Sequence, residues 1–105
     1  MHGVERLPER YDVRLSRRAR KDLTELVREG LGVKIRNILD LMETNPLATV
    51  PPFEKLKGDL DGCYSRRLNR EDRIVYEVLP SDEYLGIVHV IMMKGHYRRM
   101  MSFFL

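Results

Sequence analysis

Apolar and polar positions along the 105-residue chain alternate in two rhythms. The stretch YDVRL, Tyr11–Leu15, alternates with a period of two and predicts a short first strand. From Arg17 to Glu29 the period lengthens. Ala19, Leu23, Leu26 and Val27 recur at helical spacing, Ser16 stands where an N-cap is needed, and Gly30 and Gly32 supply the stop. A second helix is predicted from about Val33 to Thr44. Val33, Ile38, Leu41 and Met42 lie largely on one stripe that Ile35 and Leu39 widen. Asn45-Pro46 ends it, because proline disfavours helical geometry in the residue before it. The short glycine linker makes the pair an antiparallel helical hairpin.

Leu47 to Asp61 mixes prolines, glycine and charges and reads mostly as loop. Strand-like alternation then returns at about Cys63–Leu68, Arg73–Leu79 and Tyr84–Met93, separated by the polar turns NRED and PSDE. The predicted fold class is α+β: an N-terminal strand, a two-helix hairpin, then a three-stranded antiparallel meander, with the helices on one face of a twisted sheet and the other face open. The expected organisation is a loose lead-in at 1–10, a single domain at 11–97 and a C-terminal extension at 98–105.

Strand parity sorts the arginines of YSRRLNREDRIVYEV. Ile74, Tyr76 and Val78 form the apolar set of their strand and should face the helices, which turns Arg73, Val75 and Glu77 outward. Arg67 shares a parity with Ser65 and Cys63, whereas Arg66 shares one with Tyr64 and Leu68, residues suited to the buried side. Arg67 and Arg73 are therefore expected to project together from the open face, and a register slip of one residue would reverse this.

Composition narrows the picture only slightly. Charged residues are 33% and hydrophobic residues 43%, a globular balance, and the net charge of +3 is compatible with a polyanionic partner. The single cysteine, Cys63, allows no internal disulfide. MHGVERLPER has no apolar core of a signal peptide, and LGIVHVIMM is too short to span a bilayer as a helix. A cytoplasmic protein with no membrane association is expected.

Charge in the sheet gains meaning from its surroundings. Upstream, FEKLKGDLDG carries Glu54 and Lys57; downstream, KGHY carries His96 and Tyr97. A carboxylate, a lysine, two arginines, a histidine and a tyrosine suit acid–base chemistry on a phosphodiester. The carboxylate takes a proton from an attacking hydroxyl, the cations stabilise charge on a pentavalent phosphate, and the histidine protonates the leaving oxygen. No cofactor is expected, and His2, His89, His96 and Cys63 show no metal-ligand spacing. Taken singly, each residue has a plainer reading. Glu54 is a surface carboxylate, Arg67 and Arg73 can pair with Glu71, Asp72 or Glu77 in a solvated network, and His89 is structural.

The ordered set resembles a known family. Leu56-Lys57, Gly62, Tyr64, Ser65-Arg66-Arg67, Arg73-Ile74-Val75-Tyr76 and His96-Tyr97 are similar to the pattern of the Txe/YoeB branch of the RelE/ParE toxin superfamily. The close match covers residues 53–97, while 11–45 match in layout. The resemblance implies a RelE/YoeB-like fold and a toxin of a type II toxin–antitoxin module that cleaves mRNA in the ribosomal A site. A 2′-hydroxyl attacks the adjacent phosphate without metal, leaving a cyclic phosphate and a 5′-hydroxyl. By the same resemblance Glu54 is the general base, His96 the general acid, Arg67 and Arg73 the phosphate-stabilising pair, and Tyr97 a supporting catalytic residue. Lys57, Arg66 and Lys94 are expected to contact RNA.

The implied partners are a cognate antitoxin of the YefM/Phd type, the 70S ribosome and mRNA. Homodimers occur among close relatives. Three features depart from the family pattern: Tyr64 stands where a tryptophan is common, Arg98–Leu105 continue past the tyrosine at or near which close relatives end, and the lead-in at 1–10 is longer than usual. The alternatives are a ParE-like toxin that inhibits DNA gyrase without cutting RNA, or an inactive module whose cleft the tail occludes.

Overall fold

The computed structural model describes residues 9–95. His96, Tyr97, the 98–105 extension and most of the lead-in lie outside the described residues. The first strand, β1 (Asp12–Leu15), is followed by the helices α1 (Arg17–Arg28) and α2 (Gly32–Thr44), then by β2 (Glu54–Lys55), a 3₁₀ helix at Gly58–Leu60, β3 (Cys63–Arg67), β4 (Arg73–Leu79) and β5 (Ile87–Met92). The five strands form one sheet in the order β1-β5-β4-β3-β2. Only β1 runs parallel to its neighbour, with Val13 beside Val88 and Leu15 beside Val90; β2 to β5 are antiparallel. The α+β architecture and the meander are as expected. The added strand is β2, in a segment expected to be mostly loop, and two residues are too few to show a period.

The helices pack on one sheet face. Ala19, Leu26, Ile35, Ile38 and Met42 meet Leu68, Ile74, Tyr76, Val88 and Val90 in the main core. Ser16 fastens this layer at a corner. Its Oγ accepts the Ala19 N–H at 2.9 Å, capping α1, and donates to the Ile91 carbonyl at 2.7 Å. Ser16→Ala removes both bonds, and we expect a loss of about 1–2 kcal/mol in chemical denaturation.

The opposite face is not wholly open, contrary to expectation. After β2 the chain folds back, and Leu56 and Leu60 form a second apolar cluster with Cys63, Val75 and Met92. A register shift between Val75 and Tyr76 makes this possible. Val75 pairs with Met92 but Tyr76 with Val90, so Ile91 is an extra residue in β5. The bulge sends Met92 to the second cluster while Val88 and Val90 stay in the main core. Burial pushes the Cys63 thiol pKa up, helped by Glu77 and Asp61, consistent with a packing role. This face remains uncovered toward β2 and the start of β4, and also at the half-exposed Glu77–His89 pair of β4 and β5.

Candidate active-site groove

The uncovered region is built by β2 and its pairing with β3. Glu54 sits opposite Ser65, and Arg67 sits opposite Arg73 at the far end of the β3–β4 ladder. Strand parity therefore delivers Glu54, Ser65, Arg67 and Arg73 to one surface. With Pro52 and Phe53 they line a groove of about 340 Å³.

Arg73 is sunk into the floor and its side chain is only 11% exposed, whereas Glu54 at the rim is 57% exposed. The Arg73 Nη1 lies 3.8 Å from the Glu54 Oε1 and 3.5 Å from the Ser65 Oγ. Both distances are long for strong hydrogen bonds, so the guanidinium retains donor capacity and the carboxylate keeps free lone pairs. Two arginines directly opposite each other repel. Nothing in the fold requires that arrangement, and an anion seated between them would relieve it.

The structure separates the other expected RNA contacts from this groove. Arg66 is fully buried on the helix side, as its parity with Tyr64 and Leu68 suggested, and it cannot touch RNA. Its guanidinium donates to the Tyr76 hydroxyl at 3.0 Å and to the carbonyls of Pro46, Ala48 and Pro51. Tyr76 in turn donates to the Pro46 carbonyl at 2.7 Å. Burial raises the Tyr76 pKa, and the neighbouring Arg66 charge opposes that rise. Phe53 caps the network, with the Arg66 guanidinium 5.2 Å from its ring centre. Arg66 thus ties down the 46–51 loop that leads into Glu54.

Lys94 also differs from expectation. Its ammonium is held at 3.0 Å by both Glu25 of α1 and Glu29 at that helix's C-cap, bonds that raise its pKa. Lys57 is exposed at the start of the 3₁₀ helix and does not line the groove. His96 and Tyr97 lie outside the described residues. Sequence reasoning did not single out Ser65, Phe53 or Pro52 as site residues. Only Ser65 carries a sequence signal, its shared parity with Arg67.

Comparison with known proteins places the chain in a family. A family profile for YoeB-like toxins of bacterial type II toxin-antitoxin systems matches residues 16–97. The chain belongs to the YoeB toxin family. Toxin YoeB of Streptomyces coelicolor is 36% identical over 64 residues, 61% of this chain and 70% of that one. Among solved structures, a YoeB/ParE toxin from Agrobacterium tumefaciens superposes with a TM-score of 0.72 at 28% identity, covering 82% of this chain and 99% of that one. YoeB in the YoeB-YefM complex from Staphylococcus aureus gives 0.66 at 32% identity, covering 84% and 99%. YoeB of that organism is also known as a dimer. As a YoeB-family chain, this protein is a type II toxin, and the groove described above is its candidate active site.

Proposed function

We propose that this YoeB-family toxin is a ribosome-dependent endoribonuclease that cuts mRNA in the A site. The observation that carries the reading is the pairing of Glu54 with the sunken Arg73, beside Arg67, in one groove. The carboxylate of Glu54 takes the proton from the 2′-hydroxyl. The resulting oxygen attacks the adjacent phosphorus, and Arg73 and Arg67 stabilise the extra negative charge on the phosphoryl oxygens. His96 gives a proton to the departing 5′-oxygen. The products are a 2′,3′-cyclic phosphate and a 5′-hydroxyl end, so protons and bonds balance without a cofactor.

A structural relative is a YoeB-YefM complex, which supports a YefM-type antitoxin as the cognate partner here. Among the described residues no helix is long and apolar enough to cross a membrane. Action on ribosomes would place the protein in the cytoplasm.

Inducible expression in bacteria tests the reading. Wild-type protein should arrest growth and generate mRNA fragments with 5′-hydroxyl ends. Glu54→Gln, which keeps shape but loses the basic carboxylate, should lower cleavage by about 10²-fold or more. Arrest that persists undiminished in Glu54→Gln, without such fragments, would instead favour a gyrase-directed toxin.

A further inference from the structure

Two buried carboxylates outside the groove, Asp22 and Asp72, have no place in the chemistry above. Asp22 lies on α1 and is 8% exposed; Asp72 ends the NRED turn and is 6% exposed. Neither faces substrate. Both face the same short piece of backbone, the exit of β5. The Asp22 Oδ2 accepts the N–H of Met93 at 3.0 Å and of Lys94 at 3.1 Å. The Asp72 Oδ1 accepts the N–H of Gly95 at 2.9 Å. Three consecutive backbone donors are thus taken by charged acceptors from two separate elements, and such bonds are stronger than neutral ones.

The carbonyls of the segment are held as well. Arg18 donates to the Lys94 carbonyl at 3.2 Å, and the Arg73 N–H donates to the Gly95 carbonyl at 3.3 Å. The Lys94 ammonium adds its bonds to Glu25 and Glu29. The turn that presents Asp72 is itself locked. The Asn69 Oδ1 accepts the N–H groups of Glu71 and Asp72, and its Nδ2 donates to the Asp72 Oδ2 at 2.9 Å. Gly95 has φ +90, a conformation that side chains rarely adopt, so its path is specific rather than merely extended.

β5 is an inner strand and Met93 is fully buried, so its N–H needs a protein acceptor; Lys94 and Gly95 are half-buried, where water could serve, and the charged acceptors there go beyond what the strand end requires. The following residue is His96, whose Cα is covalently fixed about 3.8 Å from that of Gly95. The clamp also links that point to the groove, since Asp72 adjoins Arg73 and the Arg73 backbone binds Gly95.

We propose that Asp22 and Asp72 are positioning residues for the general acid, fixing the 93–95 backbone from which His96 directly follows. The proposal rests on the reading of His96 as the acid. Losing the clamp should displace the acid while leaving Glu54, Arg67 and Arg73 in place, and a displacement near 1 Å costs about 10²-fold in rate.

A leaving-group substitution tests this. Single-turnover cleavage is measured on programmed ribosomes with two mRNAs, one natural and one whose scissile 5′-oxygen is replaced by sulfur. Sulfur departs as a thiolate and needs no proton. Asp72→Ala and the milder Asp72→Asn, with Asp22→Asn, are compared with His96→Ala and Glu54→Ala, and thermal melting confirms that each variant is folded. Asp72→Asn keeps one acceptor and covers the case in which the alanine variant does not fold. The clamp variants should be slow on natural mRNA with unchanged ribosome affinity, and should return to the wild-type rate on the sulfur substrate, as His96→Ala does and Glu54→Ala does not. Clamp variants that cut natural mRNA at the wild-type rate overturn the proposal. So do folded clamp variants that stay slow on sulfur while His96→Ala is rescued. If His96→Ala itself is not rescued, the assignment of the acid fails and the proposal falls with it.

Discussion

Arg73→Ala should lower mRNA cleavage by about 10²–10³-fold, the usual effect of removing one preorganised donor from a developing oxyanion. The effect should fall on the chemical step. Arg73 lies under the groove floor, 11% exposed, with its free end reaching only Ser65 and Glu54 at long distances. On the proposed function it is held for a ligand and not spent on the fold. Removing it strands no buried charge, because Glu54 is 57% exposed and stays solvated. It also ends the repulsion from Arg67 directly across the ladder. The melting temperature should stay close to that of the wild type while the single-turnover rate collapses. Arg73→Lys should recover little, since an ammonium is a point charge and lacks the planar fork that spans two phosphoryl oxygens. A large fall in melting temperature with a preserved rate per folded molecule would show that Arg73 is structural.

Arg66, on β3 opposite Ile74, should behave in the opposite way. Arg66→Met removes donors that satisfy the carbonyls of Pro46, Ala48 and Pro51 and the Tyr76 hydroxyl. Each buried group left without a partner costs about 1–3 kcal/mol, and more than one is orphaned here. The sum is at least about 2 kcal/mol, against a total stability of about 5–15 kcal/mol for a domain of this kind. At about 4–8 °C per kcal/mol, the melting temperature should fall by more than about 8 °C. Arg66→Lys cannot restore the network, because one ammonium cannot reach groups arranged around a planar fork. The check is thermal unfolding of purified protein. A fall of less than about 4 °C, which corresponds to under 1 kcal/mol, would mean that water replaces the guanidinium and the 46–51 loop is not anchored there.

The contrast between these two arginines shows what could be read from sequence. Apolar periodicity places both helices and the ends of β3 and β4 to within about a residue, because a buried face repeats regularly along each element. The same periodicity turns Arg73 and Arg67 outward and Arg66 inward, and the structure agrees on all three. The expectation that Arg66 contacts RNA runs against its own parity, and its burial overrules it. Parity cannot reveal what makes a buried guanidinium tolerable. Its carbonyl partners lie 15 to 20 residues upstream in an irregular loop without periodicity.

Other features were hidden for similar reasons. The two-residue β2 is defined by its partner, Ser65 and Tyr64 on β3, and not by its own pattern. The second apolar cluster depends on the bulge at Ile91, where alternation breaks and Met92 and Met93 turn to opposite faces. The NRED segment read only as a polar turn. Its use of Asp72 to bind Gly95 joins residues 23 apart, and no local signal encodes that.

The most direct test of the central claim, that the Glu54–Arg73 groove cuts mRNA in the A site, is cleavage mapping on a 70S ribosome programmed with a defined codon. The account predicts a cut within the A-site codon by purified wild-type protein, ending in a cyclic phosphate, and none with Arg73→Ala. Intact mRNA on ribosomes saturated with folded wild-type toxin would contradict it.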